Sequence, residues 1–442
     1  MKVLSKKQQY QVVKLSLLMK DKLSLLGGEK LIVKKFLPYN SLGEEERLAV
    51  NQVMDTGILS NYLGCWDEKF YGGEKVREFE EACQNFFKVK HAITVNSWTS
   101  GLIAAVGALD IEPGDEIIVS PWTMCASATA ILHWNAIPVF ADIDPNTFNI
   151  DPVSVEKNIT SRTKAIMAID IFGQSADMNA LRVIANKHNI KIISDTAQAP
   201  GALYDGKFAG TLADIGGYSL NYHKHIHTGE GGVVVTNDDA LAERVRLIRN
   251  HAEAVVEDKG EERINNMLGY NFRLGEIECA IGIEQLKKLP NIILLRQQLA
   301  ERLNAGLDNL NGLTLPIVKE RSSHVYYMYC MTLDIDELGV SRDVIADALE
   351  AEGVMLYRRY QNLHLLPMYQ KKIAYGNNGF PWSSNLVSRD VSYEKGICPV
   401  AEKLNDETFL GFGMCVYELS NDDIDLIIKV FAKVWANLES LA

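Results

Sequence analysis

The sequence predicts an α/β protein: a large domain on a mostly parallel sheet, followed by a smaller α+β domain. From residue 92 to about 250, short apolar runs of strand length alternate with helical stretches, the order that lays helices on both faces of a parallel sheet. Near Pro290 the pattern shifts to a long helix and then to mixed strands and helices, which marks a domain boundary. With 442 residues the chain is long enough for two substantial cores. The expected divisions are an N-terminal extension over 1–37, a large domain over 38–288 and a small domain over 289–442.

Residues 1–36 carry nine lysines, with apolar residues at Val12, Leu15, Met19, Leu23 and Leu26. That spacing predicts an amphipathic N-terminal helix packed on the protein or on a dimer partner. A Ser-x-x-Glu capping box at Ser41 and Glu44 predicts the start of a helix that Gly57 ends. Segment 59–73 holds Tyr62, Trp66, Phe70 and Tyr71, an aromatic loop that suits either a planar ligand or a subunit contact. A helix over 74–87, a strand over 92–95 and a helix over 99–109 follow. Thr99, Ser100 and Gly101 form the first turn of the last, where free N–H groups and the helix dipole suit a phosphate. Strand 116–119, a helix from about 123 to 134, and strands 138–141, 164–171 and 191–194 continue the alternation. The last strand delivers Asp195 to the C-terminal edge of the sheet, where open α/β sheets bind ligands. Beyond a helix over 240–250 lies an acidic, flexible segment, 253–262. A further helix follows Arg273, then a long helix over 292–307, a strand over 326–333, and helices over 344–352 and 424–438.

Residues 219–232 read Ser-Leu-Asn-Tyr-His-Lys-His-Ile-His-Thr-Gly-Glu-Gly-Gly, between apolar runs at 215–220 and 233–235. Lys224 thus falls on an irregular connection between strands, with His223, His225 and His227 around it. Loops held on a rigid frame carry chemistry, and a lysine whose neighbours lower its pKa can form a Schiff base with a carbonyl. Taken alone, such a lysine reads as a solvated surface residue. The rest of the chain decides between the two.

Composition narrows the classes. Hydrophobic content of 47% and charged content of 23% fit a soluble globular protein with no membrane span. A net charge of −12 argues against nucleic-acid binding, which needs clustered Lys and Arg. Seven cysteines, scattered and without a Cys-x-x-Cys pair, predict a reducing cytoplasm and no zinc or iron–sulfur centre.

Together these stretches resemble the DegT/DnrJ/StrS family of pyridoxal-phosphate-dependent sugar aminotransferases, from about residue 38 to the C-terminus. Ser219 and Gly229 match that family's serine five residues before the Schiff-base lysine and its Gly-Glu-Gly-Gly turn five residues after it. Asp195-Thr196-Ala197-Gln198-Ala199 matches its Asp-x-Ala-Gln-Ala stretch, and Gly269-Tyr270-Asn271-Phe272-Arg273 its inter-subunit segment. Pro113-Gly114-Asp115-Glu116, Cys398-Pro399-Val400-Ala401-Glu402, and Tyr360 with Leu363-His364 have counterparts as well.

The resemblance implies the type I fold of such enzymes, with a seven-stranded sheet, and pyridoxal 5'-phosphate carried on Lys224. It assigns Asp195 to the pyridine nitrogen, Gln198 to the ring 3-oxygen, and Ser219, Thr99 and Ser100 to the phosphate. Asn271 would reach the partner's cofactor phosphate across a homodimer, and Tyr360, His364 and Arg359 would lie near substrate. Three positions depart from the pattern: Trp98 stands where a small residue is usual, Met124 where an aromatic stacks on the ring, and Asp170 where histidine is frequent. Trp98 and Met124 are carried as cofactor contacts, with Trp122 or Trp98 as substitutes for the stacking residue.

The implied reaction moves an amino group from a donor, expected to be glutamate, to a nucleotide-linked keto-sugar in ping-pong order, freed Lys224 shuttling the proton. Other readings are a sugar dehydratase, in which histidine replaces the lysine, and a ketocyclitol aminotransferase. A regulatory binding protein that keeps the fold is the non-enzyme reading. His223 and His225 flank the lysine position, but both spacings, to Ser219 and to Gly229, select Lys224.

Overall fold

The computed structural model describes residues 21–442. Its centre is a sheet of seven strands: β1 His91–Val95, β2 Glu116–Val119, β3 Ile137–Phe140, β4 Thr163–Ile169, β5 Lys191–Asp195, β6 Ile215–Ser219 and β7 Gly232–Thr236. The spatial order is β1-β7-β6-β5-β4-β2-β3, and β7 alone runs against the others. Apolar runs such as Glu-Ile-Ile-Val and Ile-Pro-Val-Phe are buried throughout, as strands covered on both faces require.

Helices α1 Glu44–Thr56, α2 Glu74–Phe87, α3 Trp98–Ala108, α4 Ala126–His133, α5 Pro152–Asn158, α6 Met178–His188 and α7 Asp239–Arg249 alternate with these strands or flank them. All of α3 except Thr99 is buried, and Gly101, Ala104, Ala105 and Ala108 let it lie close to the sheet. On the opposite face Val76, Phe79 and Phe87 of α2 pack with Tyr218 and Val233 of the sheet and with Ile283 and Leu286 of α8 Glu276–Leu307. The alternation thus buries the sheet from both sides. No described helix is long and apolar enough to cross a membrane.

A second core lies over a three-stranded antiparallel sheet, β8 Leu313–Thr314, β9 Tyr329–Leu333 and β10 Phe409–Phe412. Covering it are α9 Arg342–Ala351, α10 Asn421–Trp435 and the end of α8, through Leu299, Leu303 and Leu307. The boundary expected near 288 falls within α8, whose 32 residues continue through Pro290.

Several local expectations differ from the structure. The cap of α1 is Gly43, whose N–H donates to Glu46 at 2.7 Å, while Ser41 Oγ donates instead to Gln285 at 2.6 Å. Val12, Leu15 and Met19 of the expected N-terminal helix lie outside the described residues. Over its described part there is only a 3-10 turn, Ser24–Leu26. Leu23 and Ile32 are buried in the second core, and Glu352 accepts from the N–H groups of Ser24 and Leu31. The acidic segment 253–262 holds ordered turns, including Val256–Lys259, because Lys259 pairs with Glu243 at 2.7 Å and lies over Trp66 and Tyr71.

Candidate active site

The C-terminal ends of the parallel strands carry the chemistry, and Asp195, last residue of β5, is the best held of its groups. Its carboxylate accepts from Trp98 Nε1 at 2.7 Å through Oδ1 and from Ser127 Oγ at 2.7 Å through Oδ2. A second buried acid, Asp170, grips both chain neighbours of Asp195: Ser194 Oγ donates to it at 2.9 Å and Thr196 Oγ1 at 2.7 Å. Burial pushes the Asp170 carboxyl up to about 6 against those hydrogen bonds.

Lys224 lies in the connection from β6 to β7, its backbone N–H donating to the Asn221 carbonyl at 3.0 Å. It is not a surface lysine, being 7% exposed. Burial lowers its amine to about 8, with the Asp195 charge opposing the shift. The Tyr327 ring centroid is 4.6 Å from Nζ, a residue that the sequence did not flag because it comes from a distant part of the chain, just before β9. The neighbouring histidines are placed otherwise. His225 is wholly buried and donates through Nε2 to the Val325 carbonyl at 2.7 Å, and burial lowers it to about 3. His223 packs edge-on against Tyr222 and is lowered to about 4. The half-buried His227 accepts from Gly229 N–H at 3.3 Å.

The expected phosphate turn begins at Ser97, the cap of α3, whose Oγ accepts from Ser100 N–H at 3.1 Å. Ser219 is brought beside this turn by the sheet, since it pairs in register with Gly232. A Cβ on Gly232 would meet Trp98 N at 2.8 Å, so this close approach needs glycine. Gln198, three residues after Asp195, accepts from Phe172 N–H at 2.9 Å and donates to Tyr360 Oη at 3.1 Å. Tyr360 is pushed up to about 12, chiefly by burial and further by the Asp195 charge.

This arrangement, a buried amine of lowered pKa facing a fixed carboxylate beside an open helix end, has known relatives. Residues 41–409 match the DegT/DnrJ/EryC1/StrS aminotransferase family. The chain belongs to this family. It is 33% identical to the spore coat polysaccharide biosynthesis protein SpsC of Bacillus subtilis, over 81% of this chain and 91% of that protein. It is 36% identical to a GDP-perosamine synthase of Caulobacter vibrioides, over 74% of this chain and 85% of that protein. Among solved structures, the aminotransferase from Psychrobacter cryohalolentis superposes with a TM-score of 0.78 at 29% identity, covering 92% of this chain and all of that one.

For an aminotransferase of this family the residues present fit pyridoxal phosphate: the buried Lys224 amine, the carboxylate at the strand end, and a helix N-terminus with Ser97, Thr99 and Ser100. The other expected residues are placed variously. Trp122 is fully buried with its indole N–H donated to Asn362 at 2.7 Å, so it offers no free face for stacking. Trp98 is likewise enclosed, whereas Met124 is 62% exposed. Arg359 is solvent-facing and pairs with Asp343 at 3.3 Å. His364 is wholly buried and donates to Glu402 at 2.9 Å, away from the lysine loop. Asn271 is exposed, its Oδ1 accepting from Arg273 Nε at 2.8 Å and its carbonyl from Asn96 Nδ2 at 3.2 Å. Ser127 and Tyr327 were missed by sequence reasoning. Neither lies in a motif, and each reaches the site from a different element.

Proposed function

We propose that the protein is a pyridoxal-phosphate-dependent aminotransferase that transfers an amino group from glutamate to a nucleotide-linked keto-sugar. The observation that carries this reading is Lys224, buried at the sheet edge, lowered to about 8 and within charge range of Asp195. When bound, the cofactor supplies an electron-withdrawing ring that eases breaking of the donor's Cα–H bond.

The chain's own residues do the rest. Lys224 would hold the cofactor, and its Nζ would take up and return the proton, a task suited to an amine that is partly free near neutral pH. Asp195 would hold the ring nitrogen, Gln198 the 3-oxygen, and Ser219 with the first turn of α3 the phosphate. Met124 is the residue left to cover the ring, by its polarizable sulfur. Tyr360 stands beside the bound substrate.

The nucleotide sugar rests on the perosamine-synthase relative, which is named for a nucleotide-linked amino sugar. We read the active unit as a cytoplasmic homodimer in which each site is completed by the partner's Asn271, and the chain as a large part, 38–288, and a small part, 289–442. The dehydratase reading loses support because Lys224 itself is the buried group at the site and His225 is committed to the Val325 carbonyl.

Initial rates with glutamate and a panel of nucleotide-linked keto-sugars test the proposal. Parallel double-reciprocal lines are expected. Intersecting lines with a demonstrated ternary complex contradict it, as does failure of glutamate to change the cofactor's visible band.

A further inference from the structure

The indole of Trp98 is built into the molecule in a way that ordinary core packing does not demand. In the sheet, Asp195 lies directly beside Gly217 of β6. A Cβ on Gly217 would come within 2.2 Å of Trp98 Cζ3 and 2.3 Å of Cη2, and one on Gly101 within 2.7 Å of Cε3. The ring therefore sits in a slot that two glycines leave open. The slot ends at the carboxylate, and an indole N–H is a donor only, with one direction in which to give its hydrogen bond. It gives it to Asp195 Oδ1 at 2.7 Å, in a site where Asp195 is 5% exposed. The only other contact on that oxygen among the described residues is the longer one from Ala197 N–H, 3.3 Å. Trp98 is also the residue immediately before Thr99, so its backbone belongs to the turn assigned to the phosphate.

We propose that Trp98 is a positioning residue that fixes the Asp195 carboxylate relative to the first turn of α3, so that one side chain sets the spacing between the partner of the ring nitrogen and the phosphate seat. Ser127 on Oδ2 completes the clamp from α4. The inference rests on the cofactor reading above.

The test is a cycle of W98F, D195N and the double variant, with apoprotein titrated by pyridoxal phosphate. Phenylalanine keeps the ring in its slot and removes only the N–H. Loss of a hydrogen bond to a charged group predicts that W98F binds cofactor about ten- to a hundredfold more weakly. The same change on a D195N background should then have little further effect, since the indole acts through the carboxylate. A purely packing role would make the two losses multiply. As a measurement that leaves Trp98 intact, the Trp98 indole N–H resonance should move and exchange faster in D195N. Wild-type affinity in W98F, multiplying effects, or an indole resonance indifferent to D195N overturns the proposal. If wild-type apoprotein captures no cofactor at all, the underlying reading falls and this inference with it; normal capture with an unaffected W98F overturns this inference alone.

Discussion

Lys224 titrates where it does because burial outweighs the attraction of Asp195, and this has a consequence for stability. Its folded-state value of about 8 lies below the ordinary 10.5, so between these values the unfolded chain binds the proton more strongly. The unfolding free energy of the apoprotein should therefore rise with pH from about 8 to 10.5, by about 3 kcal/mol from this group. Below pH 8 the charged amine carries the full cost of burial. Urea denaturation of wild type and Lys224→Met across this window checks it: the gap between the two should narrow as pH rises, and a constant gap would contradict the burial argument. The lysine itself was legible from spacing to Ser219 and Gly229. What lowers its pKa was not, because the burial that does so is made by residues far away in the chain. His364 shows the opposite case: a motif match located it, while only the fold reveals that Glu402 holds it inside.

Among the elements, β6 and α3 depend on each other through an absent side chain. A Cβ at Gly217 would meet the Trp98 ring and also the Val233 carbonyl at 2.2 Å, and backbone cannot move aside cheaply. Gly217→Ala should cost about 3 kcal/mol or more and lower the Tm by several degrees; a loss under about 1 kcal/mol would mean the slot is looser than drawn. The strands of the large sheet were legible from short apolar stretches that alternate with helices, whereas β8 and β10 of the second sheet were not read from the sequence. Helix ends were less legible. The cap of α1 passed from Ser41 to Gly43 because Gln285 of α8 takes the serine hydroxyl, a tertiary partner that no local pattern announces. The helix expected to start at 292 begins instead at Glu276 as α8, which packing on both sides of Pro290, through Leu289 in one core and Leu299 in the other, holds continuous.

For the whole molecule, the proposed homodimer makes a prediction that no single chain can. If the partner's Asn271 completes each site, Lys224→Ala and Asn271→Ala proteins are each defective, and refolding them together creates mixed dimers with one intact site. Roughly a quarter of wild-type activity should return from an equal mixture, since half of the dimers are mixed and each has one of two sites whole. No recovery, with mixed dimers shown to form, would place Asn271 in its own chain's site. The seven-stranded sheet and its ligand edge followed from the family resemblance, whereas the tie of residues 21–36 to the second core did not, since Leu23 and Ile32 gain their burial only against α9 and α10.

The central claim is that Lys224 is the lysine that holds the cofactor. Protein incubated with pyridoxal phosphate, reduced with borohydride, digested and mapped by mass spectrometry tests it most directly. A single pyridoxyl adduct on the peptide containing Lys224, absent from Lys224→Ala, is the predicted result; a stable adduct on a different lysine, or none on wild type, would contradict it.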